Sequence, residues 1–157
     1  MKITLFFVGQ TADKHIAALI DDYVRRIGHY IGFDIATISE PKNTKNLSEE
    51  QQKEKEAELI LKALQPNDFV VLFDEHGREL RSVELADWMR HKMQTVARRV
   101  VFIVGGPYGF AESIYRVAHE KLSLSRLTFS HQMVRLIVVE QIYRAFTIVR
   151  GEPYHHE

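Results

Sequence analysis

The sequence predicts an α/β domain built on a mostly parallel sheet with helices on both faces. Three observations carry this. Short apolar runs alternate along the chain with segments that are apolar at helical spacing. The run Val100-Val101-Phe102-Ile103-Val104 stops at Gly105-Gly106-Pro107-Tyr108-Gly109, as a buried strand does when it closes on a glycine loop. A second short strand and a polar loop follow, which is how a parallel sheet builds a ligand crevice at its carboxyl edge.

Taken in order, Lys2 to Val8 reads as the first strand, and Asp13 to Ile27 as an amphipathic helix with Ile16, Leu19, Ile20, Tyr23, Val24 and Ile27 on one side. Phe33, Ile35 and Ile38 mark a second strand, and Pro41 to Asn46 a polar loop. Ser48-Glu49-Glu50-Gln51 fits a capping box and starts a charged helix to Leu64. Phe69 to Phe73 is the third strand, Asp74-Glu75-His76-Gly77 a charged loop, and Ser82 to Met93 a helix. Val100 to Val104 is the fourth strand, Ala111 to Ala118 a short helix, and Lys121 to Leu124 the fifth strand. His131 to Val149 is the last helix, apolar nearly all round, with Gly151 as its stop. A helix of that kind is buried centrally or shared between subunits. No repeat or second domain interrupts residues 1–157, which read as one domain.

Composition removes several chemistries. The chain has no cysteine, so disulfides, thiolate metal sites and a thiolate nucleophile are all excluded. No metal is expected: Asp74-Glu75-His76 has ligand-type side chains, but consecutive residues rarely converge on one ion. Met1 to Gly9 has no cleavage-site pattern, and no segment approaches the roughly 20 apolar residues of a membrane span. The expected protein is cytoplasmic and makes no membrane contact. Its 21 lysines and arginines balance 21 aspartates and glutamates, unlike a generic nucleic-acid binder. Binding by counterion release needs only a local surplus, and Arg126, Arg135, Arg144 and Arg150 outnumber the acids after Arg126. A neutral RNA enzyme would have to recognise a shaped target rather than any strand.

Two segments carry candidate chemistry. The glycine loop lets backbone approach a ligand closely because no Cβ intervenes. It lacks the dinucleotide fingerprint, and Pro107 removes an amide donor, so a neutral adenosine suits it better than a phosphate. A plain tight turn is the alternative. The tail Tyr154-His155-His156-Glu157 places an aromatic ring and imidazoles where chains ordinarily fray. A histidine near its reference pKa of about 6.5 can take a proton or orient a base. A disordered histidine tail is the alternative there. His131 could cap the last helix or sit in the site; His15, His29, His91 and His119 read as surface residues, Trp88 as core or rim, and Glu140 with Arg144 as a helix ion pair.

Ile103-Val104-Gly105-Gly106 with Gly109, the segment Leu124 to Gln132, Glu140 to Ala145, and Arg150-Gly151-Glu152 stand in order along the chain. With these motifs the sequence resembles, over essentially its whole length, the ribosomal large-subunit methyltransferase H family of the SPOUT class. The resemblance implies a C-terminal trefoil knot, a homodimer, and S-adenosyl-L-methionine as methyl donor. The implied substrate is a pseudouridine of 23S rRNA in the ribosome, methylated at N3. It places Gly105, Leu124, Ser125, Arg126, Leu127, Thr128 and Phe129 at the donor, with Phe73 where the family usually has leucine. It places Tyr154 and His155 at the acceptor base. The family usually follows its Tyr-His with arginine or lysine; here His156 fills that position, so the missing charge would come from Arg144 or Arg150, including those of a partner subunit. A flavodoxin-like nucleotide-binding module and a ribosome assembly factor without chemistry are the competing readings.

Overall fold

The computed structural model describes residues 1–157. Strands β1 (Lys2–Val8), β2 (Gly32–Ile38), β3 (Phe69–Glu79), β4 (Arg99–Val104) and β5 (Glu120–Ser123) form one sheet in the order β2-β1-β4-β3-β5. Every pairing is parallel, so the expected "mostly parallel" sheet is wholly so. The helices are α1 (Lys14–Ile27), α2 (Glu49–Ala63), α3 (Ser82–Thr95), α4 (Glu112–Val117) and α5 (Met133–Val149).

The period-two alternation of a strand assigns the two faces. Ile3, Leu5 and Phe7 of β1, with Val100, Phe102 and Val104 of β4, meet residues of α1, α3 and α5. Phe6 and Val8, with Val101 and Ile103, meet α2 and α4 on the opposite side. Strands buried on both faces are apolar throughout rather than alternating, which is why these runs were conspicuous in the sequence.

Local chemistry fixes the helix ends. Asp13 caps α1 by accepting from the amides of His15 and Ile16 at 2.9 and 3.0 Å. The capping box of α2 is complete, Ser48 and Gln51 each accepting the other's amide at 2.9 and 3.1 Å. At the end of α5, Gly151 takes φ +68°, and Glu152 N donates to Thr147 O at 2.9 Å. This Schellman turn reverses the chain, so the tail runs back over α5 instead of continuing into solvent.

One expectation changes in the fold. The third strand does not end at Phe73 but continues to Glu79, and residues 74–77 are extruded from it: Phe73 and Arg78 both stand opposite Leu122. The last helix takes the first of its two expected places, buried centrally. It packs between α1 and α3 with Val138, Val139, Ile142, Ala145 and Phe146 buried, each such large side chain contributing about 1.5–3 kcal/mol. Leu136 and Ile137 stay half-buried, Leu136 at the margin of the same core.

Candidate active site

The carboxyl ends of β3, β4 and β5 open into one crevice. Phe73, where β3 enters its extruded loop, the segment from Ser123 at the end of β5 to Phe129, and Val134 of α5 line a depression of about 380 Å³. An adjoining one of about 760 Å³ shares Phe73, Phe129 and Val134 with it and adds Gly105–Phe110 after β4. The sequence-predicted residues Phe73, Gly105, Leu124, Ser125, Arg126, Leu127, Thr128 and Phe129 are thus brought together. Leu127, 76% exposed, offers an apolar rim, and the Ser125 hydroxyl accepts the Leu127 amide at 3.0 Å to hold that loop. Arg126 pairs with Glu79 across the mouth at 3.3 Å.

The glycine loop is both a tight turn and a wall of the crevice. Gly109 N donates to Gly106 O at 3.2 Å, closing a turn with Pro107 in its second position. A Cβ at Gly105 would lie 3.0 Å from the Phe110 ring, and one at Gly106 would lie 2.5 Å from Glu56 Oε2. Both side-chain directions are therefore filled from behind by the protein itself.

The charged loop at residues 74–77 is not a plain solvated turn. Asp74, Glu75 and His76 line the crevice opposite Arg126. Asp74 accepts from the Tyr115 hydroxyl of α4 and from His76 N, the latter at 2.8 Å. Burial first, then the bond to Asp74, pushes the Tyr115 hydroxyl well above its ordinary pKa, so it stays a donor. No group of three or more metal-type ligands converges there or elsewhere.

The tail forms a second cluster on α5. Glu140 Oε1 accepts from Arg144 Nη2 at 2.6 Å, Arg144 Nε at 3.1 Å and the Tyr154 hydroxyl at 3.0 Å. The Arg144 guanidinium lies 4.7 Å from the Tyr154 ring centroid, and that ring meets Tyr143 edge-on at 4.8 Å. Arg144 Nη1 stands 3.1 Å from His155 Nδ1. Arginine can only donate, so His155 Nδ1 holds a lone pair and its proton sits on Nε2, which is buried without a partner. The Tyr154 hydroxyl is driven up by burial, by its 3.2 Å contact with Tyr23 and by Glu140, and remains protonated. His156 is exposed, while Glu157 reaches Arg81 at 3.7 Å.

Known proteins narrow the reading. The family described as predicted SPOUT methyltransferase matches residues 1–155. Ribosomal RNA large subunit methyltransferase H of Phocaeicola vulgatus is 65% identical over 157 residues, covering all of both chains. The chain belongs to this family of SPOUT methyltransferases. Proteins of the same name from Bacteroides thetaiotaomicron and Flavobacterium psychrophilum are 62% and 50% identical, again over the full length of both chains.

Within this SPOUT chain the two clusters are separate. Val134 lines the crevice while Arg144 anchors the tail, ten residues and about 15 Å along α5. A second cleft beside the crevice is lined by Phe73, Ser123 and Leu124 together with Arg81, Ile137 and Gln141, and no residue of the tail cluster reaches it. Arg150 is outside the tail cluster, its guanidinium 5.4 Å from the Tyr30 ring, so Arg144 is the cation beside Tyr154 and His155. Glu140 with Arg144 is more than a helix ion pair: both side chains are largely buried, 17% and 25% exposed, and they organise the tail.

One arginine expectation is corrected, and the alternatives for His131 are decided. Arg135 is 1% exposed and cannot serve as an RNA-facing cation; it donates to Val8 O at 2.6 Å, Gly9 O at 2.9 Å and Thr11 Oγ1 at 2.9 Å. Its guanidinium thereby ties α5 to the end of β1. Of the two places expected for His131, it does not cap α5 but lines the larger depression of the crevice; its Nε2 stands 3.3 Å from Arg135, and burial followed by that cation lowers its pKa. The residue after it does the fastening: Gln132 Oε1 accepts the amides of Ala12 and Asp13 at 2.8 and 3.3 Å. Trp88 is core, 7% exposed, with Nε1 bonded to Glu120 at 2.6 Å. His119 is exposed as expected yet structural, its Nδ1 accepting Val70 N at 3.0 Å.

Proposed function

We propose that this protein is an S-adenosylmethionine-dependent methyltransferase of large-subunit rRNA, acting at N3 of a pseudouridine in the assembled ribosome. Membership of the family supports the reaction class and the rRNA substrate. The observation that carries the donor site is the meeting of Phe73, Gly105 and Leu124–Phe129 in one crevice. That crevice fits an adenosine bearing a sulfonium. Phe73, Leu124 and Phe129 supply apolar surface, the glycine turn presents bare backbone, and Asp74 and Glu75 supply negative charge for a cationic donor. S-adenosylmethionine, when bound, supplies an electrophilic methyl group.

The acceptor side is assigned to Arg144, Tyr154 and His155, with His156 in a lesser role because it makes no contact. The imide proton of N3 must leave before the nitrogen can attack. Neither tail residue is a ready base: Tyr154 keeps its proton, and the Nδ1 lone pair of His155 is engaged by Arg144. Their roles are electrostatic and positional. Arg144 favours the imide anion, Tyr154, whose hydroxyl donates to Glu140, and His155 position the base beside that cation, and the proton passes to solvent.

The two clusters, about 15 Å apart along one helix, serve one reaction when a homodimer brings the tail of one subunit to the crevice of the other. The half-buried Leu136 and Ile137 of α5 supply an apolar face for that contact. The trefoil knot implied by the family belongs to the same reading, with β5 lying outside β3 and α5 returning between α1 and α3. A ribosomal substrate places the protein in the cytoplasm, and no helix is long and apolar enough to cross a membrane. Gly105→Val tests the donor site: its branched side chain meets Phe110 and drives the loop into the crevice. Titration calorimetry should show S-adenosylmethionine affinity reduced more than tenfold, and undiminished binding would move the site elsewhere.

A further inference from the structure

We infer that Glu56, a residue of α2 outside the crevice, is a positioning residue for the donor loop, holding the Gly105–Gly106 peptide in one orientation. The inference rests on the crevice being the donor site. Gly106 N donates to Glu56 Oε1 at 3.2 Å. The carboxylate fills the space behind the loop so completely that a Cβ on Gly106 would lie 2.5 Å from Oε2. Glu56 has no cationic partner in the structure; the neighbouring Lys53 pairs with Glu50 at 2.8 Å instead. A half-buried carboxylate without a counter-charge is costly unless a hydrogen bond compensates it. Burial raises its pKa, the Gly106 amide pulls against that shift, and Glu40 adds to the rise.

The consequence follows from peptide geometry. The chain has no cis peptide bond, and in a trans peptide the N–H and C=O point in opposite directions. With Gly106 N–H held backward toward Glu56, the Gly105 carbonyl is aimed forward, on the crevice side. Two adjacent glycines have little intrinsic resistance to turning that peptide over. Glu56 supplies the resistance. The carbonyl so aimed is an acceptor for an amino or hydroxyl donor of a neutral adenosine, and a flipped peptide would present a competing N–H in its place.

The test is a set of variants in the full chain, read by calorimetric titration with S-adenosylmethionine and by donor-dependent kinetics on ribosomes. Glu56→Ala should weaken donor affinity about tenfold, close to 1.4 kcal/mol, and raise KM for the donor while kcat at saturating donor changes less than about twofold. Glu56→Gln, whose amide oxygen still accepts from Gly106, should stay within about threefold of wild type. Gly106→Ala, whose methyl group displaces the carboxylate, should match Glu56→Ala, and the double variant should be no worse than either. Should Glu56→Ala fail to fold, Gly106→Ala makes the same comparison. Unchanged affinity in Glu56→Ala or Gly106→Ala, or a loss in Glu56→Gln equal to that in Glu56→Ala, overturns the inference. A wild-type protein that binds no S-adenosylmethionine overturns instead the reading of the crevice.

Discussion

Gly77→Ala is the perturbation whose size the structure states most directly. Gly77 closes the loop extruded from β3, and a Cβ there would lie 2.6 Å from Leu122 C, 2.7 Å from Leu122 N and 2.8 Å from Lys121 C. All three are backbone atoms of β5, so no side-chain rotation relieves the contact. Reaching ordinary separation near 3.4 Å moves the two strands apart by about 0.8 Å. That strains the pairing of Arg78 with Leu122 and of Glu79 with Ser123. Overpacking costs about 1–3 kcal/mol and a weakened ladder hydrogen bond about 1 more. The expected loss is about 2–4 kcal/mol, which for a chain of this length lowers Tm by roughly 5–12 °C. Because β5 leads directly into Ser123–Phe129, donor affinity should fall as well. Scanning calorimetry and titration with S-adenosylmethionine read the two effects. A Tm within 2 °C of wild type with undiminished affinity would refute the claim that this close approach builds the crevice wall.

Three further outcomes follow from the same contacts. Deleting Tyr154–Glu157 should leave S-adenosylmethionine binding within about twofold by calorimetry while abolishing methyl transfer to ribosomes, because the tail does not line the crevice. Arg144→Met, which keeps the packing on Tyr154 but removes the charge from Glu140 and His155, should lower kcat about a hundredfold or more with little change in donor KM, measured by incorporation of labelled methyl groups. Glu120 gives a pH dependence: burial alone would raise its carboxyl, but hydrogen bonds from Lys92 at 2.7 Å and Trp88 at 2.6 Å outweigh it and hold the pKa below the ordinary value of 4.5. Its stabilisation is therefore present above about pH 4.5 and lost as pH falls through the lowered pKa, so urea titrations should show a flatter acid limb for Glu120→Gln; an unchanged limb would count against the contribution of this ion pair.

Much of the fold was legible because its signals are local. Lys2–Val8 is a strand from end to end as read, and the Ser48–Gln51 box forms as its spacing demands. The crevice was legible in outline because a glycine turn after a buried strand suits a ligand crevice as well as a plain turn, and here the loop is both. What escaped depends on contacts between distant residues. Gly77 is needed by the backbone of Leu122, and nothing near it in sequence says so. Arg135 stands in an apolar helix where an exposed cation and a buried one look alike; its partners are carbonyls at the end of β1, more than a hundred residues earlier. Glu56 is hidden in a charge-rich helix, and its one visible hint is its place four residues before the buried Ile60. The tail was recognised by its residue types, but its fold-back onto Glu140 depends on the Gly151 turn and on Tyr23, and so did its distance from the crevice.

In the proposed reaction, crevice and tail together methylate N3 of a pseudouridine in ribosomal RNA. Mass spectrometry of nucleosides from 23S rRNA, after ribosomes are incubated with the protein and methyl-labelled S-adenosylmethionine, tests it most directly. The expected product is labelled 3-methylpseudouridine, formed on assembled ribosomes, far less on deproteinised rRNA, and not at all by the chain lacking Tyr154–Glu157. No incorporation, label on another nucleoside, or full activity of the truncated chain would contradict it.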